Sequence, residues 1–328
     1  MFMRLFIRAA SAAAVALGFA GLAQAATGDY PTQSVTIFVG YPAGGPTDIA
    51  ARTIARYMEQ KLGRTFVIEN VTGASGAIAA RKAANAKPDG YTILMGNSGN
   101  LSVLPYLFDN LGYDPMTQLD PIGLATNYKC VLAVPTDSPF KNVQELLAYA
   151  KANPGKLSYA SDGVGSLNHI SSEWFKLIAG VNIVHVPYRG NAPVIQDLTA
   201  GRIDMSFLSM VSAAPQLEAK RLRLLGVATS KPLDDDLPGV PTVMSQGVPN
   251  FVSEPWTAFL TPKGVPVEIR EKLNKVLNEA LQDKDVLANL RGLGLYPMGG
   301  TPQDLRNYMK SESALWSDVI KRAGITQQ

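Results

Sequence analysis

The sequence predicts an α/β protein whose two lobes hold a ligand cleft between them. Apolar runs of strand length alternate with amphipathic helix patterns along most of the chain, which is typical of βαβ units on parallel sheets. Two of these runs lead through a glycine-rich turn into a helix. The chain of 328 residues also exceeds the ~250–300 residues at which a single hydrophobic core stops growing. Two lobes are therefore expected.

The first 25 residues are expected to be an export signal. Arg4 and Arg8 form a positive start, and Ala9–Leu22 is an apolar run. Ala23–Ala25 fits the small-residue pattern of a cleavage site. The run is shorter than the ~20 residues that a membrane-spanning helix needs, so we expect export to the periplasm. The net charge of +3 falls to +1 for the mature chain, because the signal removes two arginines and no acid.

Strands and helices are expected to alternate up to a proline- and aspartate-rich loop at 232–241. The expected strands are 34–40, 66–70, 91–96, 130–135, 157–161, 183–187, 203–208 and 222–228. The expected helices between them are 48–62, 76–86, 142–152, 168–179, 191–200 and 212–220. In the first helix Ile54, Met58 and Leu62 recur every four residues, as a core-facing stripe requires. Two longer helices, 266–283 and 302–322, are expected to cover one of the sheets.

The two glycine-rich turns are Tyr41–Asp48, before the helix at 48–62, and Asp162–Ser166, before the helix at 168–179. A helix N-terminus exposes unpaired backbone N–H groups and a partial positive charge, which favour a carboxylate or phosphate. Glycine lets the backbone approach such a ligand closely. Neither turn contains lysine or arginine. The pair predicts that uncharged main-chain donors grip a small anion between the lobes.

The sequence lacks the signatures of several other function classes. It has no P-loop, HExxH, CxxC or GxSxG motif, and its two histidines without neighbouring cysteines give no metal spacing. The sequence contains no cluster of basic residues interleaved with aromatic residues, the pattern that would indicate nucleic acid binding. The single cysteine, Cys130, lies in an apolar run and is expected to be a buried hydrophobe. No cofactor is expected.

Two other functions stay open at this level. A secreted α/β hydrolase would use Ser98 or Ser166 with His169, although no nucleophile–base–orienter set can be assembled from the sequence. A solute sensor would have the same fold and cleft, and it would present its ligand to a signalling partner instead of a transporter.

Several short motifs, in order along the mature chain, resemble one family. They include Tyr41-Pro-Ala-Gly-Gly-Pro-Thr-Asp48, Lys87-Pro-Asp-Gly-Tyr-Thr-Ile-Leu94, Tyr159-Ala-Ser-Asp-Gly-Val-Gly-Ser166 with His169, His185-Val-Pro-Tyr188 and Gly201-Arg-Ile-Asp204. On these residues the chain resembles the Bug-type extracytoplasmic solute receptors, the substrate-binding proteins of tripartite tricarboxylate transporters.

The resemblance implies a two-lobe periplasmic-binding-protein fold of type II, in which a hinge joins the lobes. The first lobe would comprise residues 26–128 and 252–328, and the second lobe the inserted residues 129–251. The resemblance also implies capture of a small organic carboxylate without catalysis, and its delivery to the membrane subunits of a transporter. The ligand stays open among di- and tricarboxylates, amino acids and aromatic carboxylates.

Ligand contacts are implied in both lobes. Carried onto this chain, they fall on Tyr41, Ala43, Gly44, Thr47, Asn97, Ser161, Gly163, Gly165, Ser166, His169, Asn191 and Asp204. Ala43 and Gly44 would act through their backbone amides. Ser166 and Asn191 are equally well explained as helix caps and as ligand contacts. Asp204 is equally well explained as a residue that braces its loop and as a ligand contact.

Three departures from the family pattern lie beside these positions. Asp162 stands where the family usually has a small residue or proline, Leu167–Asn168 replaces a common pair of prolines, and Arg189 stands where lysine is frequent. Such neighbours shape the far end of the pocket, so they bear on the identity of the ligand. Asp48 is expected to cap its helix or fix its turn, because its charge would repel an anion.

Overall fold

The computed structural model describes residues 30–233 and 236–325, so the expected export signal at 1–25 lies outside the described residues. The strands are β1 (Val35–Val39), β2 (Phe66–Asn70), β3 (Thr92–Asn97), β4 (Leu119–Tyr128), β5 (Cys130–Pro135), β6 (Ser158–Ser161), β7 (Val184–Pro187), β8 (Ser206–Ser209), β9 (Leu222–Val227), β10 (Trp256–Pro262) and β11 (Leu295–Gly299).

The α-helices are α1 (Pro46–Leu62), α2 (Ala77–Ala84), α3 (Leu104–Leu107), α4 (Val143–Ala152), α5 (Leu167–Ala179), α6 (Asn191–Thr199), α7 (Met210–Glu218), α8 (Val267–Ala280), α9 (Lys284–Gly292) and α10 (Pro302–Ala323). Short 3₁₀ turns occupy Ala74–Gly76 and Met244–Gln246, and a π-helical turn occupies Gly99–Val103. Within the ranges that the structure describes, no helix is long and apolar enough to cross a bilayer.

The strands separate into two groups. Six form one sheet in the order β11-β4-β10-β3-β1-β2. In this sheet β1 runs parallel to β2 and β3, whereas β10 runs antiparallel to β3 and β4. The others form a β8-β5-β9 sheet and a parallel β6–β7 pair, joined by a bridge between Tyr159 and Met205. We call the six-stranded sheet with its helices the first lobe and the remaining strands with their helices the second lobe.

Both lobes bury their central strands on two faces. In β5, Cys130, Leu132 and Val134 pack in one core with α4 and α5, whereas Val131 and Ala133 pack in another with α6 and α7. This alternation follows from the two-residue period of a strand. In the first lobe, α1, α8 and α9 cover one face of the sheet, and α2, α3 and α10 contribute to the core on the other.

All eight expected strands form, but the expected pattern misses β4, β10 and β11. β4 contains Pro121 and Gly123, and β11 contains Pro297, residues that weaken a strand signal. Pro297 is tolerated because β11 is an edge strand. The expectation of parallel sheets is wrong in part, because β10 and β11 run antiparallel to their neighbours and β5 is antiparallel to both β8 and β9. The helix expected at 266–283 ends at Ala280, and the separate α9 follows it.

The lobes are connected along the chain and by packing. The chain enters the second lobe between Tyr128 and Cys130, with one residue separating β4 from β5, and returns between β9 and β10. The C-terminal helix α10 also packs on α5, in an apolar cluster that joins Trp316 to Leu167 and Ile170. There the ring centroids of Trp174 and Trp316 lie 5.6 Å apart, edge to face.

Candidate functional site

A cavity of about 210 Å³ lies between the lobes. Its wall is formed by loops that follow strands and by the first residues of helices. The lining residues are Tyr41–Thr47, Asn97, Tyr128, Cys130, Asp162, Ser166–Asn168, Arg189–Pro193, Phe207, Ser209, Ser212 and Pro255. The cavity therefore joins both predicted glycine-rich turns, as the sequence led us to expect.

Three helices begin at the cavity wall without a side-chain cap. Their N-cap residues are Gly45 for α1, Ser166 for α5 and Gly190 for α6. The two glycines have no side chain, and the Ser166 hydroxyl donates to Gly163 O instead of capping α5. In the first turn of α5 the His169 N–H donates to Asn168 Oδ1 at 3.1 Å, so the amides of Leu167 and Asn168 are the ones left without an acceptor among the described residues. The first N–H groups of an uncapped helix carry unsatisfied donors and a partial positive charge. The cavity is therefore suited to an anion. The N-terminus of α6 adds a third donor set to the two that the sequence predicts.

Asp48 fixes the first glycine-rich turn. Its carboxylate accepts hydrogen bonds from the Gly44 amide (2.9 Å), from Arg52 (3.0 Å) and from Asn70 (2.8 Å). Burial alone would raise the pKa of Asp48, but these hydrogen bonds outweigh it and lower the pKa below its usual value. The expected turn-fixing role of Asp48 is confirmed. The Gly44 amide, expected to bind the ligand, is instead occupied by Asp48.

The second glycine-rich turn satisfies its own amides in a similar way. The Gly163 N–H donates to Ser161 Oγ at 3.3 Å, and the Gly165 N–H donates to His169 Nδ1 at 3.2 Å. These amides are therefore not available to a ligand. Gly165 has a φ of +77°, and a Cβ atom there would collide with the side chain of Leu104 in the first lobe. Glycine is needed at this position for both reasons.

Two histidines support this turn from the side away from the cavity. The rings of His169 and His185 stack at 4.2 Å, and His185 also stacks on Tyr159 at 4.7 Å. Burial lowers the pKa of His169 to about 3 and that of His185 to about 4. Both rings are therefore neutral at physiological pH. His185 Nε2 lies 2.6 Å from Ser161 Oγ.

The structure does not assemble the nucleophile of a hydrolase around His169. Ser166 Oγ lies 2.6 Å from both Gly163 O and Asn168 Oδ1. His169 Nδ1 already accepts from a backbone amide. Neither Ser98 nor Ser166 forms a hydrogen bond with His169 within the described part of the chain.

Of the twelve expected contact residues, seven line the cavity: Tyr41, Ala43, Gly44, Thr47, Asn97, Ser166 and Asn191. The structure does not bring the other five to the wall: Ser161, Gly163, Gly165, His169 and Asp204. Ser161 and His169 are buried behind the second turn. The carboxylate of Asp204 accepts from the Ser158 N–H (2.7 Å) and hydroxyl (2.8 Å), so it braces β6.

Some lining residues carry no sequence signal. Tyr128 and Pro255 lie where the chain passes between the lobes, and only the folded topology brings them to the cavity. Ser209 and Ser212 stand at the start of α7, where Ser209 Oγ accepts from the Ser212 N–H. Asn191 donates to Ser212 Oγ at 2.8 Å, so its side chain joins α6 to α7 at the wall.

Direct contacts join the lobes beside the cavity. The Ser75 hydroxyl donates to Val164 O at 2.6 Å, from the first lobe to the second glycine-rich turn. Ser75 O in turn accepts from the Tyr41 hydroxyl at 2.9 Å. Ser75 has a φ of 51°, a conformation that few non-glycine residues adopt. The contact therefore connects a cavity-lining tyrosine with the opposite lobe.

Comparisons with known proteins agree with this geometry. Residues 50–325 match the family described as TctC, tripartite tricarboxylate transporter family receptor. The chain is 39% identical over 292 residues to a Pseudomonas sp. (strain P51) protein named UPF0065 protein in tcbD-tcbE intergenic region, covering 89% of this chain and 86% of the relative.

Solved structures resemble the chain over nearly their whole length. R. palustris Rpa4515 with adipate has a TM-score of 0.87 and 36% identity, covering 91% of this chain and 99% of that one. The periplasmic binding protein BugD has a TM-score of 0.85 and 33% identity, covering 91% and 100%. MatC (Rpa3494) from Rhodopseudomonas palustris with bound malate has a TM-score of 0.83 and 32% identity, covering 89% and 100%.

These likenesses decide between the alternatives for fold and activity. The fold is that of the two-lobed periplasmic solute-binding proteins. The family consists of receptors, and the neighbouring structures are binding proteins, so the protein is not an enzyme. The expected Bug-type resemblance is confirmed, and the chain belongs to the tripartite tricarboxylate transporter receptor family.

Proposed function

We propose that this receptor captures a small organic carboxylate in the cavity between its lobes and delivers it to the membrane subunits of a tripartite transporter. The observation that carries the proposal is the meeting of three uncapped helix N-termini at one cavity wall. Such termini stabilise a carboxylate through N–H donors and the helix dipole.

The donors are those that the turns leave unoccupied. In the first lobe the amides of Gly45 and Thr47 donate to no acceptor among the described residues. In the second lobe the same holds for the amides of Asn191 and Ala192 at the start of α6. These fixed donors receive the ligand without reorganising, and the hydroxyls of Tyr41 and Ser166 border the same space.

Capture follows from closure of the lobes. A ligand that contacts donors of both lobes does so only when they approach, so it shifts the population toward the closed form. In this reading the lobe boundaries lie at 128/129 and 251/252, on either side of the crossings between the sheets. An N-terminal signal over residues 1–25 would export the chain to the periplasm.

A thermal-shift panel tests the proposal on the mature protein. Succinate, malate and adipate serve as probes, because relatives have been solved with malate and adipate. Their neutral diamides serve as matched controls. Binding to the native state alone raises the melting temperature by mass action. We expect at least one acid to raise it and its diamide to have no effect. The proposal fails if the diamides bind equally, or if neither these acids nor the amino acids tested below bind.

A matched pair of variants tests the helix N-termini. Ala192 is exposed and lines the cavity in the first turn of α6. An acidic side chain is favourable to the helix itself at this position, so Ala192→Asp should fold. Its charge would repel a carboxylate, and we expect affinity to fall by about tenfold or more. Ala192→Asn has the same shape without the charge and should bind within about threefold of the parent. Equal losses in both variants would indicate a steric effect only.

A further inference from the structure

One acidic side chain stands in the wall of this cavity. Asp162 follows β6, and its backbone is held on both sides. Its N–H donates to Asn168 Oδ1 at 3.3 Å, and its carbonyl accepts from the Gly190 amide at 3.1 Å. These bonds fix Asp162 between the N-termini of α5 and α6. Asp162 therefore lines the space that a ligand would occupy.

The carboxyl group of Asp162 has no cationic partner in the part of the chain that the structure describes, and the Asn168 side chain is the group that opposes the effect of burial on its pKa. Asp162 Oδ1 is buried and accepts no hydrogen bond. The residue as a whole is only half-buried, because its other surface borders the cavity. No described lysine, arginine or histidine nitrogen comes within ion-pair distance of it. A buried carboxyl group that lacks donors is costly, and a ligand that brings a donor to a cavity-lining acid offsets that cost.

The groups around Asp162 supply no compensating positive charge. Tyr41, Tyr128 and Cys130 face it, and burial raises the pKa of each, so all three are neutral at physiological pH. Arg189, in the loop before α6, also lines the cavity, but its side chain is exposed and makes no ion pair within the described ranges. The cavity thus has anion-binding helix ends and, close to them, one unpaired acid.

A plain dianion does not suit this arrangement. Its carboxylate at the N-termini of α5 and α6 would stand beside the like charge of Asp162. A molecule with both a carboxylate and an ammonium group matches both features, because the helix ends receive the first and Asp162 the second. On the proposed function, on which this inference rests, we propose that Asp162 selects zwitterionic acids by binding their protonated amine.

Matched ligands test this on the mature protein. L-Aspartate differs from succinate, and 2-aminoadipate from adipate, by the ammonium group alone. Titration calorimetry at pH 8 should give at least one amino acid that binds about tenfold or more tightly than its partner. Asp162→Asn keeps the shape and removes the charge, and it should abolish that preference. Asp137→Asn, the same change on an exposed turn, should leave it intact.

The number of protons taken up or released on binding distinguishes an ammonium-bearing ligand from a dianion. Burial raises the pKa of Asp162 to about 6, so the group is half-protonated at pH 6. His169 and His185 stay neutral there. An ammonium ligand lowers the pKa of Asp162, so binding at pH 6 should release up to about half a proton. A dianion raises the pKa of Asp162, so binding at pH 6 would take up as much as about half a proton. Buffers of different ionisation enthalpy measure the difference.

The outcomes distinguish the two proposals. Preference for the amino acids, with proton release in the parent and neither effect in Asp162→Asn, supports the inference. Succinate or adipate binding as tightly as its amino partner, or with proton uptake, overturns the inference and leaves carboxylate capture standing. Binding of neither the amino acids nor the dicarboxylates overturns the proposed function itself. The melting temperature of Asp162→Asn without ligand shows whether the variant is folded.

Discussion

The hydrogen bond from Ser75 to Val164 provides a direct test of lobe closure. Its donor belongs to the first lobe and its acceptor to the second, at 2.6 Å. Ser75→Ala removes the hydroxyl and leaves the Val164 carbonyl to water. The bond can form only when the lobes approach, so its loss should destabilise the closed form and leave the open form unchanged.

The size of the effect follows from the exchange of one hydrogen bond. A typical intramolecular hydrogen bond contributes about 0.5–1.5 kcal/mol net. On the proposed coupling of binding to closure, the same free energy appears in the dissociation constant, as a loss of about 2- to 13-fold. The Tyr41–Ser75 hydrogen bond uses the backbone carbonyl of Ser75, so the substitution leaves that wall of the cavity in place.

Titration calorimetry with whichever acid the panel identifies would measure this loss. Ser245→Ala is the matched control, because Ser245 Oγ donates at 2.9 Å to Thr242 O within the second lobe. That variant should lose stability and keep its affinity. Equal affinity in the parent and Ser75→Ala would refute the reasoning that this contact contributes to closure. X-ray scattering of both variants with ligand would then show whether the lobes still close.

For three further substitutions the structure predicts the direction of the change in ligand affinity or in the free energy of unfolding. Gly165→Ala should weaken ligand binding by about tenfold or more, because its Cβ would collide with Leu104 across the lobes and its φ of +77° suits glycine; unchanged affinity would show that the turn adapts. Burial raises the pKa of Asp162 from 3.8 to about 6. The free energy of unfolding of the parent protein is therefore undiminished by this group below pH 3.8, and it falls as the pH rises through 6. Asp162→Asn should therefore unfold with a free energy about 3 kcal/mol higher at pH 8 and equal to the parent near pH 3, as measured by denaturant titration. The lowered pKa of Asp48 means that its stabilisation is present above pH 3.8 and is lost as the pH falls. Asp48→Ala should lower the free energy of unfolding by about 1–3 kcal/mol at pH 7, since it leaves the Gly44 amide unpaired, and a difference that persists at pH 2 would contradict this.

The parts of the fold that could be predicted are those with local signals. β1 and α1 follow from an apolar run, a glycine-rich turn and a stripe of apolar residues. β10 is an apolar run as well, but its place between β3 and β4 has no local signal, because both neighbours are distant in sequence. Its pairing with Asn127 and Asn97 is a property of the assembled sheet. Strand order and direction depend on such long-range contacts, so the sequence does not predict which strands run antiparallel.

In the site, too, local features could be predicted from the sequence and those that depend on long-range contacts could not. Sequence indicated which turns meet the cavity, since helix N-termini and glycines are local features. It could not indicate which amides stay available, because that depends on side chains such as Asp48 and His169 folding back onto Gly44 and Gly165. Asp162 stood out in the sequence as a departure from the family pattern. Only the folded structure shows that one of its carboxyl oxygens is buried without a hydrogen bond in a residue that lines the cavity.

The contact between Trp174 and Trp316 gives the molecule its own optical reporter. One indole belongs to α5 of the second lobe and the other to the C-terminal helix of the first, with ring centroids 5.6 Å apart. A rotation that moves α5 against the C-terminal helix changes the separation of these rings, and with it the polarity around each. The emission of the unlabelled protein should therefore follow domain motion in real time, so that occupancy can be recorded in a stopped-flow instrument without a dye.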